Sequence, residues 1–325
     1  MRVAIPDDYQ DIVHTLQCFQ TLREHEVIRY REPAGDPAEF ARRLHAAEAI
    51  VPIRERSRFP RALIEQLPNL KLISQTGRST RHIDVTACTD HGIVVSAGTH
   101  ASPIAPAEMT WALIMAARRH IPLEVERMKR GEWPCTLSHR LSGSTLGIFG
   151  LGMIGTLVAR IGAAFGMRIL VLGQDASARR ARVAGYEVAG GKAELFERAD
   201  VLCLLMRMTD DTRGLVTRED LGRMKPTALL VNTARADLIQ PGALVDALRA
   251  GRPGYAAVDV YENEPIIAAS HPLLKIPNVV CTHHIAWAEY DTFELYFGEA
   301  FDNLVAYAGG APRSVVNAEA LAKRG

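Results

Sequence analysis

Apolar and polar positions along this chain follow two alternating rhythms. Short aliphatic runs stand at 3–5 (VAI), 27–30 (VIRY), 49–52 (AIVP), 70–74 (LKLIS) and 93–98 (IVVSAG). Between them lie segments with apolar residues at helical spacing, such as 36–46, which opens with Asp36-Pro37, and 59–67. Strands alternating with helices predict a parallel sheet covered by helices on both faces. The series ends near Gly98-Thr99, a candidate hinge. A long helix is expected next, because Ser102-Pro103 offers a cap followed by Pro at the first helical position. Ala105 to Arg119 then carries apolar residues at helical spacing, and a polar stretch with EWP and SHRLSG follows. The strand series restarts at 145–150 (TLGIFG), 168–172 (RILVL), 201–205 (VLCLL), 228–232 (ALLVN), 255–260 (YAAVDV) and 279–282 (VVCT). Such near-continuous apolar runs suit strands buried on both faces. The stretch from Glu289 to about Tyr307 reads as a last helix. No repeat at solenoid spacing and no low-complexity tract interrupts the pattern.

Length makes this one pattern two domains: 325 residues exceed the usual span of a single core. Charge narrows the partners. Lys and Arg number 38 against 37 Asp and Glu, so neither a nucleic-acid surface nor a polybasic membrane anchor is expected. The five cysteines, Cys18, Cys88, Cys135, Cys203 and Cys281, are scattered and form no C-x-x-C pair. This usage predicts a reduced, cytoplasmic protein without a disulfide or metal framework. Asp7 and Asp8 interrupt the N-terminus before a signal peptide could form. No apolar run approaches the roughly 18 residues of a membrane span.

The first candidate chemistry is Gly150-Leu151-Gly152-Met153-Ile154-Gly155, a G-x-G-x-x-G between a strand and a helix pattern. Gly150 permits the tight turn, Gly152 lets a pyrophosphate approach the backbone, and Gly155 lets helix and strand pack closely. Exposed amides and the helix dipole would then hold negative phosphates, with Met153 and Ile154 in the first turn. An acid for the adenosine ribose is expected at the end of the next strand. Gly173 stands there instead, followed by Gln174, which can hydrogen-bond either dinucleotide, and Asp175. Arg179, Arg180 and Arg182 come next, either to accommodate a 2′-phosphate or as a solvated helix face. The cofactor is therefore read as NAD or NADP, the balance favouring NADP.

Three more segments sit at C-terminal strand ends, where open α/β sheets bind ligands: 231–235 (VNTAR), 259–265 (DVYENEP) and 282–287 (THHIAW). Together with GLGMIG, LPNLKLISQTGR at 67–78 and TALLVNTARADLI at 227–239, they resemble the D-isomer-specific 2-hydroxyacid dehydrogenase family. The resemblance implies two doubly wound parallel-sheet α/β domains with a cleft between them. A flavodoxin-like substrate domain would comprise 1–98 plus 288–325, and a Rossmann-like NAD(P)-binding domain 99–287. It also implies catalytic Arg235, Glu264 and His284, and adds Thr233, Ala234 and Asp259 to the cofactor candidates.

The chemistry of a 2-oxo acid asks for these residue types. A guanidinium fork suits the carboxylate, and a proton donor is needed where hydride creates alkoxide character. An imidazole titrates near the working pH, and a neighbouring carboxylate favours its protonated form. Several positions depart from the family pattern. His283 precedes the catalytic His where Pro is usual, and Ala236 follows Arg235 where Gly is usual. Leu205 replaces a common His and Arg207 a common Pro, so Arg207 either touches substrate or phosphate or faces solvent. On the substrate side the resemblance points to Arg54, Gly77 and Arg78. These arginines bind a second anionic group or form a rim ion pair with Glu55 or Asp84.

The leading expectation is an NAD(P)-dependent dehydrogenase of a small 2-oxo/2-hydroxy acid, acting as a homodimer through the helix from Ser102 and the EWP segment. The competing class is a dinucleotide-sensing, corepressor-like regulator, and formate or phosphite remains an alternative substrate.

Overall fold

The computed structural model describes residues 1–133 and 136–323; Pro134 of the EWP segment and Cys135 lie outside the described residues. The chain divides into two units, Met1–Ser102 with Ala288–Gly325, and Pro103–Trp287.

The first unit holds five parallel strands, β1 (Arg2–Ile5), β2 (Glu26–Arg29), β3 (Ala49–Ile50), β4 (Leu72–Gln75) and β5 (Val94–Ala97), in the order β2-β1-β3-β4-β5. This is the flavodoxin-like doubly wound order. β4 and β5 are buried throughout, as expected for strands covered on both faces. The helix Tyr290–Ala308 returns to this sheet, where Ser74 Oγ donates to the Ala300 carbonyl at 2.7 Å. Its Glu289 cap accepts from the Thr292 and Asp291 amides at 2.8 Å. Beyond it, Val315 bridges Ser96 antiparallel, and Asn317 accepts from the Val95 amide at 2.8 Å. The free edge of β5 is thereby covered rather than left to pair with another chain.

The second unit holds β6 (Thr145–Phe149), β7 (Arg168–Leu172), β8 (Glu187–Val188), β9 (Val201–Leu204), β10 (Leu229–Asn232), β11 (Tyr255–Val258) and β12 (Val279–Cys281). All are parallel, in the order β12-β11-β10-β9-β6-β7-β8. The order reverses between β6 and β9, which makes the C-terminal end of β6 the topological switch point. Separate apolar cores pack on the two faces, one around Phe149, Phe196 and Leu230, the other around Trp111, Ile148 and Val231.

Two local expectations need correction. The long helix runs Ile104–Arg118, and its N-cap is Pro103. Pro103 is therefore not the first helical residue and Ser102 is not the cap. The polar stretch after it contains a second helix, Ile121–Lys129, separated by His120 in the left-handed region (φ 54°). No residue of that helix is buried, so its apolar residues gave no core-facing stripe to read. β8 also went unanticipated, because two residues at a sheet edge carry too little pattern. Among the described residues, no helix is long and apolar enough to cross a membrane.

Candidate active site

The glycine-rich loop lies at the switch point, between β6 and the helix Met153–Ala164. Gly150 has φ 102°, and a Cβ there would meet Leu205 O and Met206 Cα at 3.0 Å. At Gly155 a Cβ would run into the Gly150 carbonyl oxygen, so only glycine lets the helix close on the turn. Gly152 is different: a Cβ there meets no atom of the described residues within 4 Å. Packing does not require glycine at Gly152. A bare backbone beside the helix's first amides, which lack intrahelical acceptors, does fit a phosphate-bearing dinucleotide. Met153, the first helical residue, is exposed.

After β7, Gln174 caps the helix Asp175–Val183 without a side-chain cap bond. A Cβ on Gly173 would lie 2.9 Å from Ser177 Cβ and Oγ, so packing as well as ligand chemistry keeps this position small. Arg180 is already committed, its Nε donating to the Leu151 carbonyl at 2.7 Å. Its Nε thereby braces the glycine-rich loop. Arg179 is exposed.

β10, β11 and β12 are neighbours, and their C-terminal ends deliver the other candidates from one edge. At the end of β10, Asn232 ties the turn: its Oδ1 accepts from the Ala234 amide (3.1 Å) and its Nδ2 donates to the Arg235 carbonyl (2.9 Å). Thr233 is buried and shares a 2.7 Å hydrogen bond with Thr110 Oγ1 of the long helix. Arg235, half-buried, donates from Nη1 to the Ala234 carbonyl at 2.6 Å. After β11, the carboxylate of fully buried Asp259 accepts from Thr282 Oγ1 (2.6 Å) and from the amides of Ile285 (2.9 Å) and Ala286 (2.7 Å). These bonds pin both sides of the His283-His284 pair.

Glu264 and His284 meet directly, Oε2 to Nδ1 at 2.5 Å. The other oxygen of Glu264 accepts from the Tyr261 amide at 2.8 Å, and Tyr261 Oη donates to the Thr282 carbonyl at 2.8 Å. Burial raises the Tyr261 phenol far above its ordinary value, so it stays a neutral donor. His284 sits in the left-handed region (φ 55°), a conformation that costs energy in a non-glycine residue and clusters at functional sites. Among the described residues its Nε2 has no hydrogen-bond partner. His283 is exposed and, among the described residues, carries no carboxylate partner.

In the first unit, Arg54 lies over the Tyr296 ring at 5.0 Å, and its Nη1 occupies the space that a Cβ on Gly77 would need. Its Nε is 3.8 Å from Glu55 Oε2, the rim ion pair that the sequence allowed. Gly77 has φ 85°, and Arg78 is exposed. Thr110, Asn232 and Thr282 were not nominated from the sequence. Thr110 gave no signal, since it meets Thr233 across more than a hundred residues of chain. No group of His, Cys, Asp or Glu among the described residues could hold a metal ion.

Comparison with known proteins places this geometry in context. The model of the family described as "D-isomer specific 2-hydroxyacid dehydrogenase, NAD binding domain" matches residues 111–286. A glyoxylate reductase of Aeropyrum pernix is 38% identical, over 81% of this chain and 81% of that protein. A D-3-phosphoglycerate dehydrogenase of Methanocaldococcus jannaschii is also 38% identical, over 76% of this chain and only 47% of that longer protein. A crystal structure of a phosphoglycerate oxidoreductase from Vibrio cholerae superposes with a TM-score of 0.93 at 47% identity, covering 96% of this chain and 100% of that one.

Proposed function

This chain belongs to the D-isomer-specific 2-hydroxyacid dehydrogenase family and is a nicotinamide-dependent oxidoreductase, and we propose that it interconverts a small D-2-hydroxy acid and its 2-oxo acid through Arg235, Glu264 and His284. The observation that carries the reading is the 2.5 Å Glu264–His284 pair. Glu264 holds the proton on Nδ1, which leaves Nε2 as the atom that exchanges a proton with substrate oxygen. When bound, the nicotinamide supplies or accepts the hydride at the substrate's C2. In the reducing direction, Nε2–H of protonated His284 gives its proton to the carbonyl oxygen and the ring leaves the step neutral. Glu264 fixes the ring's orientation and tautomer during that transfer. Arg235 offers the fork that orients the substrate carboxylate.

Gly150, Gly152, Met153, Ile154 and Gly155 would hold the cofactor's phosphates. Thr233, Ala234 and Asp259 would border the nicotinamide end, and Gln174 the adenosine end. Arg54 and the backbone of Gly77 and Arg78 are the proposed anion-binding groups of the first unit. The lack of a carboxylate at Gly173 and the exposed Arg179 support NADP(H) over NAD(H), with Asp175 as the opposing charge. Ile121, Leu123, Val125, Met128 and Trp133 form an exposed apolar series, and we assign it to a homodimer contact.

Mixing the protein with NADH or NADPH and a panel including glyoxylate, hydroxypyruvate and phosphohydroxypyruvate tests the activity by loss of reduced-nicotinamide absorbance. No turnover with any 2-oxo acid would sink the reading. Tenfold tighter NADH than NADPH in a binding titration would move the ribose contact to Asp175. A monomer by light scattering would remove the homodimer.

A further inference from the structure

We propose that Arg207 binds a phosphate group of the dinucleotide. The segment that follows β9 is Leu205-Met206-Arg207-Met208, a single cation in an apolar run. β9 is hydrogen-bonded to β6 in the sheet, and the Leu205 amide extends that pairing to the Phe149 carbonyl at 2.9 Å. Leu205 and Met206 lie directly against Gly150, closely enough that a Cβ on that glycine would meet Leu205 O and Met206 Cα at 3.0 Å. Arg207 is the next residue, so its Cα stands one 3.8 Å step from the wall of the phosphate loop.

Leu205, Met206 and Met208 turn inward and pack on the two cores, while Arg207 is exposed. Its backbone is fixed, because its carbonyl accepts from Thr212 Oγ1 at 2.9 Å and Thr212 Oγ1 also accepts from the Thr209 amide at 2.7 Å. Asp210 and Asp211 follow within four residues, yet neither pairs with it. Among the described residues the Arg207 side chain makes no hydrogen bond or ion pair.

Electrostatics supplies the reason to expect an anion. The N-terminus of the helix Met153–Ala164 presents partial positive charge to the same loop. Arg180 already rests on the loop's Leu151 carbonyl, and Arg207 flanks it from the opposite neighbouring strand. The helix N-terminus and Arg180 lie on the loop itself, and the residue beside its wall carries a guanidinium with no hydrogen bond or ion pair among the described residues, a combination that an anion would resolve. The planar donors of arginine suit phosphate oxygens. Both the pyrophosphate and a 2′-phosphate offer that chemistry.

The proposal rests on dinucleotide binding by this loop, so the experiment reads binding rather than turnover. NADH and NADPH are titrated into the unmodified protein, Arg207→Gln and Arg207→Lys, following nicotinamide fluorescence at low and moderate salt. Arg207→Gln should weaken binding about tenfold at low salt and flatten its salt dependence, with Arg207→Lys recovering part of the loss. Equal loss for both cofactors identifies the pyrophosphate; loss confined to NADPH identifies the 2′-phosphate. Affinities of Arg207→Gln within twofold of the unmodified protein for both cofactors, with the melting temperature retained, would overturn the proposal. Failure of the unmodified protein to bind either cofactor would instead overturn the underlying functional reading.

Discussion

The two sheets end differently at the C-terminal edges of their strands. At the C-terminal edge of the first, most polar groups bond one another, although His82 Nδ1 is buried without a hydrogen-bond partner among the described residues. Buried Asp7 accepts from Ser57 Oγ and from Tyr9 Oη, and Arg56 donates to the Asp7 carbonyl at 2.6 Å while lying over the Tyr9 ring. Gln75 Nε2 donates to the Arg54 and Thr76 carbonyls, and its Oε1 pairs with His82 Nε2 at 3.2 Å. At the corresponding edge of the second sheet, the structural polar groups are equally well bonded, Asp259 and Asn232 above all. The amides beyond Gly152, His284 Nε2 and Arg207 are left open. A largely self-bonded edge gives a rigid surface, because a bonded buried group loses its partner if it moves. Open donors held by satisfied neighbours give a site, because they keep their bonding capacity for a ligand.

The largest effect should come from the second edge. His284→Asn is expected to lower turnover by about 10²–10⁴-fold, whereas His283→Ala should stay within about threefold, since His283 lacks the carboxylate. Steady-state rates at matched folding decide this, and a larger loss at His283 reverses the assignment. Arg235→Lys keeps the charge and loses the fork. It should raise KM and lower kcat, together costing about 10–100-fold in kcat/KM, with cofactor affinity unchanged; an equal loss of cofactor affinity would make Arg235 a cofactor or structural residue.

Two neighbouring glycines separate packing from binding within a single loop. Gly155→Ala forces a methyl onto the Gly150 carbonyl and should cost about 3 kcal/mol of stability. Gly152→Ala, with open space around its Cβ, should leave the denaturant midpoint in place and weaken dinucleotide binding. Equal destabilisation of both variants would break the distinction.

The pH-dependent effect belongs to the first edge. Burial lowers the His82 imidazole to about 4. As pH falls below about 6.5, the unfolded chain takes up a proton that the folded chain refuses until about pH 4. Stability should therefore fall across that window, by at most about 3 kcal/mol, and level off below it. Asp7, raised by burial, acts with the opposite sign, since its folded form accepts a proton earlier. The difference in denaturant midpoint between the unmodified protein and His82→Asn at pH 7, 5.5 and 4 isolates the histidine. A difference that does not change with pH would assign the acid sensitivity elsewhere.

Much of this was legible in the residues. Apolar runs of strand length, set between helical segments, announce parallel sheets because a strand buried on both faces has no polar side to show. The G-x-G-x-x-G was readable because a tight turn and close helix packing admit no other residue at Gly150 and Gly155. Glu264 and His284 were nominated through the family resemblance of the short DVYENEP and THHIAW segments, whose pattern is local enough to be matched in one sequence. Sequence alone did not distinguish a guanidinium that braces the loop, Arg180, from one left open, Arg207, because both are simply arginines after a strand. Nor could it show that Gly173 is also packed against Ser177, or that Thr110 meets Thr233. Those outcomes depend on which backbone atoms the folded chain brings within 3 Å, and hydrogen bonding and steric exclusion act only at that range. Periodicity and residue type determined the elements and the candidate chemistry. Only the tertiary structure decided which polar groups were already satisfied, and therefore which remained for a ligand.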